Sequence, residues 1–151
     1  MELYHEILPC NLSNTQNFYF EFWKTFNLQS SLHTEFNKEF TIKRKNSIRG
    51  YEDFSIGRDF HIVVKINLKQ SKAILGIYFN NIGTYKRYYN IYRNNIENQI
   101  PYKIDWSLWK TKGSAYINES FNIEDKNQWT QTMDWLLNNA VLMKKVFCLF
   151  D

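Results

Sequence analysis

The chain has 151 residues, of which 44% are apolar and 18% aromatic, and its formal net charge is +4. This length predicts one domain, residues 1–151, with a short lead-in over 1–13 and a globular part over 14–151. The apolar content excludes a disordered tail, and no apolar run approaches the ~20 residues that a membrane helix needs. The first residues lack the basic and apolar stretches of a signal peptide, so we expect a cytoplasmic protein.

The first predicted element is a helix from residue 14 to about residue 30, which Ser13 or Asn14 can cap. Aromatic side chains recur along it at the spacing of one helical face, at Phe18, Phe22, Trp23 and Phe26. This stripe predicts that the helix packs one aromatic face against the core of the domain.

A polar stretch, residues 29–50, follows and is expected to be partly extended around its apolar positions, Phe36, Phe40 and Ile42. Three strands are predicted next, over residues 51–57, 60–67 and 73–79. The second strand alternates, with Ile62, Val64 and Ile66 on one face and His61, Val63 and Lys65 on the other. Gly57 is expected to ease the turn between the first two strands.

Residues 84–98 combine tyrosines with basic side chains, a mixture that base stacking or an amphipathic helix can explain. The helical spacing of Tyr85, Tyr88 or Tyr89, Tyr92 and Ile96 favours a helix that packs on the core. Two more strands are predicted over residues 102–109 and 114–121, joined by a tight turn. A last helix is predicted from about residue 122, with an apolar stripe from Trp129 to Phe147.

The predicted fold class is therefore α+β. A mainly antiparallel sheet of about five strands is packed by three helices, in the order α-β-β-β-α-β-β-α. The helices cover one face of the sheet, and the other face or its rim is the expected place for a partner.

A nucleic-acid site is predicted at a basic cluster, which comprises Lys43, Arg44 and Lys45 with Arg49 before the first strand and Arg58 in the turn after it. These side chains would contact phosphates of DNA or RNA. The alternative is a solvated charged loop. His61 is a weak catalytic candidate because its pKa lies near neutrality, although a histidine within a strand is more often packed.

Two further kinds of site are not predicted. The Glu-x-Lys sequence, Glu124–Lys126, lies at the predicted start of a helix, whereas a restriction-type nuclease carries its Glu-x-Lys on a central strand. His5, His33 and His61 lack metal-ligand spacing, so no metal and no other cofactor is predicted.

The assembled segments resemble a bacterial domain-of-unknown-function family that is often found C-terminal to PD-(D/E)XK nuclease-like domains. The likeness covers roughly residues 16–148. Its marks are "SIGR" at residues 55–58, His61, Trp106, and Trp129 and Trp135 in the last helix. The turn after Arg58 is one residue shorter than is typical of that family, and Ala115 and Tyr116 stand near the place of a strand arginine.

The resemblance implies an accessory role in DNA processing or phage defence. The first hypothesis is therefore a non-catalytic domain that binds nucleic acid through its basic loop and turn. The second is a protein-interaction module that pairs with itself as a homodimer, with a nuclease subunit or with a phage protein. The third is an enzyme that uses Arg58 and His61.

Overall fold

The structure is a computed structural model that describes residues 11–40 and 46–151. Its described helices are α1 (Asn14–Ser31), α2 (Thr34–Glu39), α3 (Ile82–Arg87), α4 (Arg93–Glu97) and α5 (Trp129–Cys148). Its described strands are β1 (Tyr51–Ser55), β2 (Phe60–Asn67), β3 (Lys72–Phe79), β4 (Asp105–Trp109) and β5 (Lys112–Ser120). A π-helical turn, Tyr88–Tyr92, joins α3 to α4, and a 3-10 turn, Lys126–Gln128, precedes α5. The predicted α+β class is confirmed.

The five strands form one sheet in the order β1-β2-β3-β5-β4, and every neighbouring pair is antiparallel. Strands β1, β2 and β3 follow one another as hairpins. The helical segment after β3 then carries the chain to the far edge, and β5 returns between β3 and β4. β1 and β4 are therefore the two edge strands of the sheet.

One hydrophobic core lies between the sheet and the helices. Along β2 and β3, Ile62 pairs with Ile77 and Val64 pairs with Leu75, and all four side chains are fully buried. The predicted stripe of α5 is also buried, at Trp129, Met133, Leu136, Leu137, Ala140, Met143 and Phe147. Because these side chains belong to one cluster, α5 closes the core over the middle of the sheet.

The expectation of extended chain is wrong over residues 34–39, where the structure has helix α2. The N–H of Phe36 donates a 3.0 Å hydrogen bond to Nδ1 of His33, which caps the helix. The Phe36 ring is fully buried against Phe26 and Phe54. This cap and this packing stabilise a helix too short to persist alone. Phe40 is extended, as expected, and Ile42 lies outside the described residues.

The predicted helix over residues 84–98 is interrupted by the π-helical turn. Its expected packing is confirmed at Tyr85, Tyr88 and Ile96, which are buried. The hydroxyl of Tyr88 donates a 2.9 Å hydrogen bond to the carbonyl of Phe147 in α5. The tyrosines of this segment therefore serve mainly to join it to the core.

Gly57 is needed in the turn between β1 and β2 for a different reason from the one expected. Gly57 does not have a positive φ. Instead, a side chain at this position would come within 2.5 Å of the Phe60 ring. Gly57 is therefore required for the close packing of Phe60, which is itself almost completely buried.

Candidate functional site

The sheet has a second face that no described helix covers, which we call the open face. Because side chains alternate along a strand, the registers assign its residues. They are Tyr51, Asp53, Ser55, His61, Val63, Lys65, Asn67, Lys72, Ile74, Gly76, Tyr78, Asp105, Ser107, Trp109, Lys112, Ser114, Tyr116, Asn118 and Ser120. The predicted common face of His61, Val63 and Lys65 is confirmed, and it is this one.

A cleft of about 360 Å³ lies on the open face. It is lined by Tyr51, Asp53, His61, Val63, Lys65, Tyr78 and Tyr116. Val63 is 5% exposed and lies between His61 and Lys65 along β2. The cleft therefore has an apolar floor, surrounded by hydroxyl, carboxylate, imidazole and ammonium groups.

Three cations of the open face and its edge lie against tyrosine rings. The Arg49 guanidinium carbon is 4.2 Å from the centre of the Tyr51 ring. Lys65 Nζ is 4.7 Å from the centre of the Tyr116 ring, and Lys112 Nζ is 5.8 Å from that of Tyr78. Such contacts hold cations beside apolar surface without neutralising them.

Lys65 is a half-buried cation of the open face. Burial lowers the pKa of its ammonium group. The ion pairs among the described residues are Glu39–Lys144 and Glu35–Lys145, with Asp53–His61 a third only when the imidazole is protonated, and none of them includes Lys65. A partly desolvated cation without a carboxylate partner is an energetically favourable place for an anion.

Tyr116 forms one side of the cleft by lying flat on the sheet. Its partner across the β3–β5 ladder is Gly76, and a side chain at Gly76 would overlap the Tyr116 ring. Burial raises the pKa of the Tyr116 hydroxyl to about 12, with a smaller contribution from Tyr78. The hydroxyl is therefore a proton donor at physiological pH, able to hydrogen-bond an acceptor in the cleft.

His61 pairs with an acidic residue that sequence reasoning missed. Asp53 of β1 pairs with Val63, which is two residues from His61 along β2. The Oδ2 atom of Asp53 is 3.9 Å from His61 Nε2. Burial lowers the pKa of His61, and the Asp53 charge opposes that shift without cancelling it. The imidazole is therefore favoured in its neutral form, which can both donate and accept hydrogen bonds.

Aromatic rings continue from His61 across the open face. The centres of the His61 and Tyr78 rings are 5.0 Å apart, and those of Tyr78 and Trp109 are 6.0 Å apart. Trp109 is 43% exposed at the edge strand β4. These rings form a row over strands β2, β3 and β4.

The structure does not bring Arg49 and Arg58 together. Arg49 precedes β1 and Arg58 follows it, and all five residues of β1 pair in unbroken register with β2. Both arginines are exposed, at opposite ends of this extended strand. Lys43, Arg44 and Lys45 lie outside the described residues. The cations of the open face, Lys65, Lys72 and Lys112, are ones that sequence reasoning did not select.

Within 11–40 and 46–151, no three His, Cys, Asp or Glu side chains are grouped so that they could hold a metal ion. None of the helices in these same ranges is long and apolar enough to span a membrane.

Comparisons with known proteins gave one match. Neither the curated proteins nor the solved structures include a match to this chain. The model of the domain of unknown function DUF4268 matches residues 18–149, which include every described helix and strand except the first turn of α1. The chain therefore belongs to the DUF4268 family of domains.

Proposed function

We propose that this domain is a non-catalytic accessory domain that binds nucleic acid through the open face and through basic side chains. The observation that carries the proposal is the set of cations held against tyrosine rings: Arg49 on Tyr51, Lys65 on Tyr116 and Lys112 on Tyr78. Nucleic acids present phosphates and aromatic bases together, and this surface offers a partner for each.

The charge of the surface supports an anionic partner. Four cations, Arg49, Lys65, Lys72 and Lys112, are on the open face or its edge, against the two carboxylates of Asp53 and Asp105, an excess of two positive charges. Lys43, Arg44, Lys45 and Arg58 belong to the same proposal as phosphate contacts.

The proposal is tested by measuring the binding of labelled DNA and RNA to the whole chain at several salt concentrations. We expect log affinity to fall linearly with log salt, with a slope of about −0.9 per phosphate contact on a duplex. Arg49→Gln and Arg58→Gln should each make the slope shallower, by about one contact at most. Lys24→Gln, an exposed lysine on α1, is the matched control and should leave the slope unchanged. Affinity that is absent at low salt, or independent of salt, contradicts the proposal.

A second candidate function is protein interaction, and the exposed edge strand β4 favours it. Leu108 is 47% exposed and Trp109 is 43% exposed. An apolar edge strand can pair with the strand of a second copy, of a nuclease subunit or of a phage protein. Leu108→Lys should then abolish self-association in sedimentation experiments, while Leu28→Lys on α1 should not. Sedimentation as a monomer, with no binding to a co-expressed neighbouring nuclease, contradicts this function.

The proposed setting is cytoplasmic DNA processing or phage defence in bacteria, beside a nuclease. It rests on the resemblance carried by residues 55–58, His61, Trp106, Trp129 and Trp135. Genes for nucleases or methyltransferases, adjacent or fused to the genes of close homologues, are the expected observation. Homologues that occur with no such neighbour contradict it.

A further inference from the structure

We infer that the cleft on the open face takes one unpaired nucleotide, so that the partner of this domain is single-stranded nucleic acid. This inference rests on the proposed function and specifies its substrate class. It is carried by the cleft itself, by Lys65, whose ammonium forms no ion pair with a described carboxylate, and by the ring row that begins at His61.

The shape and chemistry of the cleft fit a base better than a duplex. Its volume, about 360 Å³, is in the range of small-ligand sites. Its apolar floor is Val63, and rings of Tyr78 and Tyr116 line it. In a duplex the bases are stacked on one another, and their faces cannot reach side chains on a sheet. An unpaired base presents its face to a ring and its edge to polar groups.

The polar rim offers complementary groups for a base edge. The Asp53 carboxylate accepts hydrogen bonds, as from an exocyclic amine, and the Tyr116 hydroxyl donates them, as to a carbonyl oxygen. Neutral His61, 3.9 Å from Asp53, offers one donor and one acceptor. These groups surround the apolar floor, so a base can stack and hydrogen-bond at the same time.

Lys65 supplies the contact for the phosphate of the same nucleotide. Its Nζ lies 4.7 Å from the Tyr116 ring centre, and no described carboxylate forms an ion pair with it. A phosphate at the rim therefore replaces no existing ion pair. Lys112 lies beside Tyr78 and pairs with Trp109 in the β4–β5 ladder. It can therefore contact a second phosphate of the same nucleic-acid strand.

The row of rings indicates the direction in which the bound nucleic-acid strand crosses the sheet. From the cleft, the row runs from His61 to Tyr78 at 5.0 Å and on to Trp109 at 6.0 Å. Trp109 is 43% exposed, so a neighbouring base can stack on it. The bound nucleic-acid strand therefore crosses the β-strands of the sheet from the cleft toward β4.

The test compares a labelled single strand with the blunt duplex of the same sequence, using the whole chain and its variants. We expect the single strand to bind at least about tenfold more tightly than the duplex. Tyr78→Leu should weaken single-strand binding about tenfold, whereas Tyr78→Phe, which keeps the ring, should bind like the native chain. Tyr92→Leu, a half-buried tyrosine that stacks on Phe150, is the matched control and should leave binding unchanged.

Charge is tested separately. Lys65→Gln should weaken single-strand binding roughly threefold to tenfold and reduce its salt dependence by about 0.7 of a slope unit, the value for one contact. Lys24→Gln should do neither. Thermal unfolding of every variant shows that the fold is retained.

Three outcomes distinguish this inference from the proposed function. A single-strand preference lost in Tyr78→Leu and kept in Tyr78→Phe supports both. Equal, salt-dependent binding of single strand and duplex that Tyr78→Leu does not change overturns the cleft inference and leaves the proposed function standing. Absence of binding to either nucleic acid overturns the proposed function and this inference with it.

Discussion

The ammonium group of Lys65 on β2 lies 4.7 Å from the centre of the Tyr116 ring on β5, although strand β3 separates the two strands. Gly76 of β3 allows this close approach, because a Cβ there would lie 2.4 Å from the Tyr116 ring and 2.1 Å from the Ala115 carbonyl oxygen. The absence of one side chain thus allows the Tyr116 ring to lie across the sheet toward the cation.

The first prediction concerns this arrangement. Gly76→Ala should lower the free energy of unfolding by about 1–3 kcal/mol, because the new methyl group meets both the Ala115 carbonyl oxygen and the Tyr116 ring. Denaturant unfolding measures the change. In the background of Tyr116→Ala the same substitution should still be destabilising, because the Ala115 carbonyl oxygen remains, and any reduction in the cost measures the share of the ring. A native-like stability of Gly76→Ala contradicts the steric explanation.

A second prediction concerns the join between the π-helical turn and α5. Tyr88→Phe removes the hydroxyl that donates to the Phe147 carbonyl at 2.9 Å. We expect a loss of about 1 kcal/mol in the free energy of unfolding, since the bond is buried. Tyr102→Phe is the control, because the Tyr102 hydroxyl has no hydrogen bond to the described residues. Similar losses in both variants argue against a specific role for the Tyr88 hydroxyl.

A third prediction concerns the cap of α2. His33→Ala should destabilise the protein by about 1–2 kcal/mol, because the Phe36 N–H loses its acceptor and the 2.7 Å hydrogen bond between His33 Nε2 and Asn138 Oδ1 is also lost. His33→Asn supplies a side-chain oxygen that can cap in the same way, so it should recover the part of the loss that comes from the cap. Chemical denaturation of the three proteins gives the comparison. If Asn is as destabilising as Ala, the cap is not what His33 contributes.

The fourth prediction concerns pH. Burial lowers the pKa of His61 below the ordinary value of 6.5. The folded protein then binds a proton there less readily than the unfolded chain, so stability is full above that value and declines as the pH falls below it. His61→Gln should therefore make unfolding less sensitive to acid as the pH falls below about 6.5.

A control for the pH dependence removes the opposing charge. Asp53→Asn deletes the carboxylate that raises the His61 pKa, so the decline with acid should become steeper than in the native protein. Identical pH profiles for the native chain and both variants contradict this account of His61.

Part of the site could be predicted from local pattern. Alternation over residues 60–67 correctly placed His61, Val63 and Lys65 on one face, because side chains in a strand must alternate. The pairing of Asp53 with His61 depends on the register of β1 against β2, which residue types alone do not determine.

The rest of the site depends on strand order. Tyr116 reaches Lys65 because β5 pairs with β3 and lies between β3 and β4, an arrangement between segments far apart in sequence. Local patterns predicted both strands but not their neighbours. Helix α2 was missed for a related reason, since its Phe36 is held by contacts with Phe26 and Phe54 from other elements.

The central claim, that the open face binds nucleic acid, is tested most directly by mapping backbone amide chemical shifts of the ¹⁵N-labelled chain during titration with a single-stranded oligonucleotide. We predict shifts concentrated in β2, β3 and β5 around Lys65, Tyr78 and Tyr116, with α1 and the exposed side of α5 unaffected. Shifts confined to the helical layer, or no shifts at low salt, would contradict the claim.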